Sequence, residues 1–439
     1  MHFRYAPAPA GDVRAGLGVP EVHDHDQQAH PSPPPPPTGG GPGATVTGVA
    51  APRPVKIDLE YVGLVLRELL EIPSPTGRTD HVTQYVGERL DALGLPFILT
   101  RRGAISATLT GRRSQATRAV VVHTDTIGCM VKSLKDNGRL EVTPVGTHSA
   151  RFAEGAHVRI FTDDLDAVVT GQVLPLKASG HRYDDAVDLQ GVGWELVEVR
   201  VDEPVSDVAG LRSLGIDVGD FVALLSDPQV LPNGYVKARH LDDKAGVAAV
   251  LGAFKAVLDA GLTAPVSAHL LVTCTEEVGH GASHGLGQDV AEIVSVDAAV
   301  VAPGQQSRED AATVAMGDGV GPFDYHLTRK LAALAGEHGV DAVRDVFDHY
   351  RSDVAAAVEA GAHARVALLG FGVDATHGHE RTHLTGLEHL ARLVALYLQS
   401  ELVFPEWDAE PAGELADFPS LAVQPAHEDG PQEGPIGVS

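Results

Sequence analysis

Five short segments carry the side chains with the clearest potential for chemistry, and each lies at or near the end of an apolar run. His123-Thr124-Asp125 follows the run 119–122. In an extended chain residues two apart share a face, so Asp125 can lie beside His123 and fix its tautomer, as the partners of metal-binding imidazoles do. A strand-end histidine followed by a capping aspartate is the plainer alternative. Asp242 and Asp243 precede a helical stripe in Arg239-His240-Leu241-Asp242-Asp243-Lys244-Ala245-Gly246. They read either as first-turn acids favoured by the helix dipole, or as a cation-bridging Asp242 with Asp243 turned elsewhere. Glu276 and Glu277 follow the run 270–274 in Thr275-Glu276-Glu277-Val278-Gly279-His280-Gly281-Ala282. Two carboxylates at the end of a buried strand repel each other unless a cation or solvent relieves them. If one holds a metal, the other is free to act as a base. Asp297 stands at the edge of the run 298–302, where a simple strand-end aspartate is the plainer reading. Last, Thr376-His377-Gly378-His379-Glu380-Arg381-Thr382-His383 gathers three histidines and a glutamate, in a chain that has 22 histidines.

Taken together, the segments supply two histidines, three carboxylates and a spare glutamate. Such a mixed nitrogen and oxygen shell suits two cations that share one carboxylate. Only two cysteines exist, and Cys274 lies within an apolar run, so the set points to a catalytic site rather than a structural zinc knot. The same cysteine poverty rules out a disulfide framework and suits a reducing compartment.

The elements that must carry these residues are also legible. Apolar residues recur at helical spacing at Leu59, Val62, Leu66, Leu69 and Leu70, and again over 79–93, 247–258 and 384–398. Continuous apolar runs at 119–122, 266–273, 298–302 and 366–371 read as buried strands. Strands alternating with helices predict an α/β three-layer sandwich with a largely parallel central sheet. Open sheets of this kind bind ligands beyond the carboxyl ends of their strands, which gives the five segments a common place. Residues 154–236 break the alternation with short β-like runs between Asp, Gly and Pro, predicting a small inserted β-rich domain.

Residues 1–54, with five consecutive prolines from Pro33 and a glycine run after Thr38, read as a disordered leader. Residues 405–439 carry no Lys or Arg and read as an acidic disordered tail. The catalytic α/β domain is then 55–153 together with 237–404. Net charge is −26, from 33 basic and 59 acidic residues, which disfavours nucleic-acid and anionic-membrane partners. There is no apolar stretch of about 18 residues and no signal-type start, so a cytoplasmic protein is expected.

The chain resembles the co-catalytic dimetal aminopeptidases of the glutamyl/leucyl aminopeptidase family, which includes the tetrahedral (TET) peptidases. The resemblance runs from about residue 59 to 398. It is carried by Leu69-Leu70-Glu71-Ile72-Pro73-Ser74-Pro75-Thr76-Gly77, then by His123-Thr124-Asp125, Leu241-Asp242-Asp243-Lys244 and Glu276-Glu277-Val278-Gly279-His280-Gly281-Ala282, in family order, with a β insert in the family's position. It implies two divalent ions per chain, Zn²⁺ first with Co²⁺ or Mn²⁺ as alternatives. His123 and Asp297 would hold one ion, Glu277 and His377 the other, and Asp242 both. Glu276 would be the general base and Asp125 would orient His123. A homo-oligomer acting on peptides or small amides is implied as well.

The chain departs from the family in three places. Asp297-Ala298-Ala299-Val300 and Tyr350-Arg351-Ser352-Asp353 replace the usual patterns, and Glu380 follows His377 by three residues rather than four. His379 is therefore the alternative last ligand. Ala302-Pro303-Gly304-Gln305 and Gly321-Pro322-Phe323-Asp324-Tyr325-His326 resemble a branch associated with the osmoprotectant N-acetylglutaminylglutamine amide.

Two rival readings remain: another amide hydrolase on the same scaffold, such as a deacylase or carboxypeptidase, and a non-catalytic binding protein that kept the fold. An aminopeptidase is expected to cleave free dipeptides and to spare their N-acetylated forms. Cleavage of the acetylated forms alone, followed by chromatography of the products, would defeat that assignment.

Overall fold

The computed structural model describes residues 51–165, 167–410, 413, 414, 418 and 419. At its centre four strands lie side by side and parallel: β1 (Arg113–His123), β2 (Val266–Thr273), β3 (Val290–Val301) and β4 (Arg365–Asp374), in the order β2-β1-β3-β4. They form the middle of a twelve-stranded sheet. Ile105–Leu109 pairs with β2, and Ala312–Asp318 and Glu380–His383 with β4, all antiparallel. The sheet is therefore mixed rather than largely parallel. Glu380–His383 shows why: residues 375–379 are too few for the crossover that a parallel return needs.

Side chains alternate across the parallel strands. Ala119, Val121, Leu271 and Ile293 pack on one face with Val354 and Ala357 of the helix Asp353–Glu359. Val120, Val122, Val272 and Val294 pack on the other with α1 (Leu241–Asp259) and α2 (Leu384–Gln399). Helices thus cover both faces of an α/β fold. Helix α1 is buried on nearly every side, as an all-round apolar helix must be. Its regular backbone begins only after Asp242 and Asp243, whose φ and ψ are not helical.

Between β1 and α1 six strands close into an antiparallel barrel, in the order Gly128–Leu134, Arg139–Val145, Val197–Val201, Val169–Pro175, His157–Phe161 and Phe221–Leu224. Val131, Val142, Val158, Ile160, Val173 and Val199 fill it with a core of its own. The β-rich segment starts at Gly128, ahead of the expected residue 154, because 128–145 is a hairpin turned at Lys135-Asp136-Asn137-Gly138. At its other end Tyr235–Ala238 pairs with Glu380–His383 in the large sheet, outside the barrel.

Two further expectations change. Asp297 lies within β3 rather than at its edge, since β3 starts at Val290 and carries buried Glu292 and Ser295 that interrupt the apolar run. The expected disordered ends encroach on packed structure: Arg53 and Gln399 exchange two hydrogen bonds (3.2 and 3.1 Å), and Asp408 pairs with Arg365 at 3.2 Å. The rest of the leader, and the tail after 410 apart from four residues, lie outside the described residues.

Glu292 is the polar tie behind the site-bearing strands. It accepts from Tyr397 Oη (2.9 Å) and Val403 N–H (2.6 Å), and faces Lys330 Nζ at 3.4 Å. Arg118, fully buried on β1, stacks on the Tyr397 ring 4.4 Å from its centroid and donates to the Ser400 carbonyl at 2.7 Å. Removing one member leaves the other charges buried without a counter-charge, so Glu292→Ala is expected to cost about 3–5 kcal/mol in urea unfolding.

Candidate metal centre

The carboxyl end of β1 delivers His123 and Asp125, both buried. The His123 Nδ1 faces the Asp125 carbonyl at 3.0 Å, and a carbonyl can only accept, so Nδ1 carries the proton. Its Nε2 then looks at Asp242 Oδ1 (3.2 Å) and Asp297 Oδ1 (3.9 Å). One ligand atom from each of His123, Asp242 and Asp297 lies within 4.8 Å of the others, a group that could hold a metal ion.

His377 repeats the arrangement on the opposite side of Asp242. Its Nδ1 donates to the Thr147 carbonyl at 2.8 Å, while Nε2 faces Asp242 Oδ2 at 3.5 Å and Glu277 Oε2 at 3.4 Å. The residue sits in the left-handed region, φ 62°, which non-glycine residues rarely occupy without compensation. Compensation comes from Glu380, which accepts the His377 N–H (2.8 Å) on one oxygen and the Asp242 N–H (3.2 Å) on the other. One carboxylate thus holds both backbones. His379 stands apart from the carboxylates of the centre, beside Asp227 and Arg239.

Asp125 does not orient His123 through its carboxylate, which lies 3.7 Å from Nδ1, too far for a hydrogen bond. That carboxylate instead accepts from the Glu276 N–H (3.1 Å), the Glu277 N–H (3.3 Å) and Thr76 Oγ1 (2.7 Å). Glu277 Oε1 accepts the Ile127 N–H at 3.2 Å, which turns Oε2 toward His377. The far side of the same loop is held by Asp353, buried, which accepts from Thr273 Oγ1 and the Ala282 N–H, both at 2.7 Å. Gly281 permits this approach, since a Cβ there would lie 1.6 Å from Asp353 Oδ1. The segment 74–76 completes the frame by pairing with 124–126, and Lys244 Nζ donates to the Ile72 carbonyl at 2.6 Å.

Charge is the dominant feature of this place. Burial pushes the Asp297 carboxyl well above its usual range, and the neighbouring Asp242 charge adds to the effect. Burial lifts Glu276 well above its usual value and Glu277 to about 7. Burial also takes Glu380 to about 8, with Asp242 contributing. Asp242 moves the other way, because the two histidines outweigh its desolvation. Burial disfavours the charged imidazoles, yet Asp242 lifts His123 well above its ordinary value and, with Glu277, His377 to about 10. Two imidazoles whose Nδ1 protons are committed to carbonyls, and whose Nε2 atoms aim at carboxylates, have the donor set of a divalent-cation site. A cation there would take the place of the Nε2 protons and relieve the repulsion among the buried acids. A cavity of about 870 Å³ opens onto Asp242, Glu276, Glu277, Asp297 and His377.

Residues 103–393 match the family described as M42 glutamyl aminopeptidase. This chain belongs to that family. It is 35% identical over 339 residues to YhfE of Bacillus subtilis (strain 168), a protein given an aminopeptidase name, covering 77% of this chain and 97% of that one. Its fold is similar to aminopeptidase APDkam598 from the archaeon Desulfurococcus kamchatkensis, at TM-score 0.71 and 20% identity, covering 81% of this chain and 98% of that one. It is also similar to the Pyrococcus horikoshii TET1 peptidase, which can assemble into a tetrahedron or a large octahedral shell. There the TM-score is 0.67 at 20% identity, covering 77% of this chain and 99% of that one. The protein is a metal-dependent aminopeptidase of the M42 family.

The structure brings together His123, Asp242, Glu277, Asp297 and His377, with Glu276 on the same cavity and Asp125 beneath the loop that carries both glutamates. Sequence reasoning missed Thr76, Asp353 and the positioning function of Glu380. All three stood in segments noted in the sequence, but none of those segments signalled the contact that the residue makes.

Asp125→Ala should lower the stability of the metal-loaded protein by about 3 kcal/mol, since hydrogen bonds to a charged acceptor are worth about 1.5–3 kcal/mol each. Asp125→Asn, which keeps one carbonyl oxygen, should lose less. Chemical denaturation and turnover measured on both variants check this.

Proposed function

We propose that the protein is a dimetal exopeptidase that removes N-terminal residues from peptides, with the ions held as the resemblance implies. His123 and Asp297 would hold one ion and Glu277 and His377 the other. Asp242 would serve both. The observation that carries the reading is the division of Asp242: Oδ1 faces His123 at 3.2 Å and Oδ2 faces His377 at 3.5 Å. Divalent ions there would polarise the scissile carbonyl and acidify water, and Zn²⁺ is the first choice for this ligand set.

The remaining work falls to side chains. Glu276 shares the cavity with these residues, and the Asp125 anchor fixes its backbone. Its carboxylate would take a proton from the attacking water and return it to the leaving nitrogen, so that peptide and water give one carboxylate and one amine. Burial among other acids raises its proton affinity, which suits both halves of that transfer. Glu380 and Asp125 would be positioning residues, holding backbone rather than substrate.

Four further readings accompany this one. Self-assembly into a homo-oligomer is supported by the likeness to the TET1 peptidase. The barrel would be an inserted module, supported by its closed strand order and separate core. A cytoplasmic setting is supported by the two free, buried cysteines, and no helix among the described residues is long and apolar enough to cross a membrane. A link to osmoprotectant metabolism would involve Ala302, Pro303 and Gln305, which line the cavity.

Elemental analysis of the purified protein is expected to find about two divalent ions per chain, with loss in Asp242→Ala. Glu276→Gln should keep its metal and lose turnover by roughly 100- to 10,000-fold. Full turnover in Glu276→Gln would remove Glu276 from the mechanism, and a chain that cannot be loaded would remove the metal centre.

A further inference from the structure

Tyr350 carries a hydroxyl that the proposed proton transfers do not use. It stands on the wall of the metal-centre cavity, in the segment Tyr350-Arg351-Ser352-Asp353, one of the three places where the chain departs from the family's pattern. Its half-buried ring packs against the apolar cluster of Ala299, Ala315, Phe347 and Leu368, with the Phe347 ring edge-on at 5.3 Å. Its backbone is fixed as well. The Tyr350 carbonyl accepts the Gly319 N–H at 2.8 Å, and three residues further on Asp353 clamps the loop that bears Glu276.

The hydroxyl end of this ring is the buried end, and among the described residues Oη has no hydrogen-bond partner. A buried hydroxyl left unpaired is costly, so one that persists on the wall of a reaction site points to a partner that arrives with the substrate. The phenol also keeps its proton. Burial, and then the charges of Asp297, Asp242 and Glu276, push it well above the usual phenol range. It is thus a neutral donor among carboxylates, which can only accept while ionised. Other donors on the wall are placed differently. His349 is exposed, the Arg351–Glu359 pair is about half exposed, and Gln305 Nε2 donates to the Val346 carbonyl. A substrate amine is itself a donor and is met by the acids, whereas the carbonyl oxygen gains negative charge on attack and needs a donor.

We propose that Tyr350 is a further catalytic residue: its Oη–H donates a hydrogen bond to the carbonyl oxygen of the scissile peptide and holds it more strongly as negative charge develops there. The proton stays on the phenol throughout, and the transfers that complete hydrolysis remain with Glu276. The inference rests on the aminopeptidase reading and adds a transition-state donor to it.

The test is Tyr350→Phe, which removes the oxygen and keeps the ring. The metal-loaded variant is assayed on the dipeptide that the unaltered enzyme cleaves fastest. Its kcat is expected to fall by about 100-fold or more with KM nearly unchanged, the pattern of a contact made in the transition state. Metal content and the urea midpoint should match those of the unaltered protein, because no hydrogen bond of the Tyr350 hydroxyl within the chain is lost. Calorimetric binding of the aminophosphonic acid analogue of the same N-terminal residue, a tetrahedral anion, should weaken by about 10-fold or more. Full kcat in the variant, or a fall in kcat matched by lost metal or lost stability, would overturn the inference and leave the aminopeptidase reading in place. A metal-loaded unaltered enzyme inert to every dipeptide would overturn both.

Discussion

The structure is organised around an excess of buried negative charge. Asp242, Glu276, Glu277, Asp297 and Glu380 converge where, among the described residues, His123 and His377 offer ring nitrogen. Like charges at that density in a low-dielectric interior cannot all ionise without cations. Most of the surrounding architecture resists the resulting repulsion. The Ile127 N–H meets Glu277 and the Asp242 and His377 N–H groups meet Glu380, while those of Glu276, Glu277 and Ala282 meet the adjoining Asp125 and Asp353 carboxylates. The rigid parallel strands supply fixed endpoints from which to aim the rest.

Two carboxylates set this frame without lining the cavity. Asp125 clamps the loop bearing both glutamates to the end of β1, and Glu380 ties the last histidine to the start of α1. Segments distant in sequence are thereby locked to one another by hydrogen bonds only a few ångströms long. Precision of this kind is what a site needs when its function depends on where a proton is taken and returned. The strained backbone at His377 is tolerated for the same reason, since Glu380 and the Thr147 carbonyl hold it from both sides.

The wall of the cavity contrasts with its floor. The floor carries Asp242, Glu276, Glu277 and Asp297, while Val278, Val300, Pro303 and Phe347 stand on the wall.

Much of this was legible in the sequence. The runs at 119–122 and 266–273 announced buried strands, because continuous apolar residues have no other stable place, and the stripes at 59–70 and 384–398 announced helices by their spacing. The ligand types at those strand ends raised the expectation of a cation site, since His, Asp and Glu together are otherwise costly to bury, and His123, Asp242 and Asp297 do form a group that could hold an ion. Geometry between distant segments was not legible. Nothing in the sequence says that the Asp125 carboxylate turns away from His123 toward the loop at 276, or that Thr76 and Asp353 grip the same frame. Nor does local pattern reveal that β3 runs through Glu292, whose charge is tolerated only because Arg118, Lys330 and Tyr397 arrive from other elements. Sequence determined which chemistry is present, because side-chain type is a local property. Tertiary structure decided which atoms meet, because a hydrogen bond is set by ångström-scale positions that only the packed chain defines.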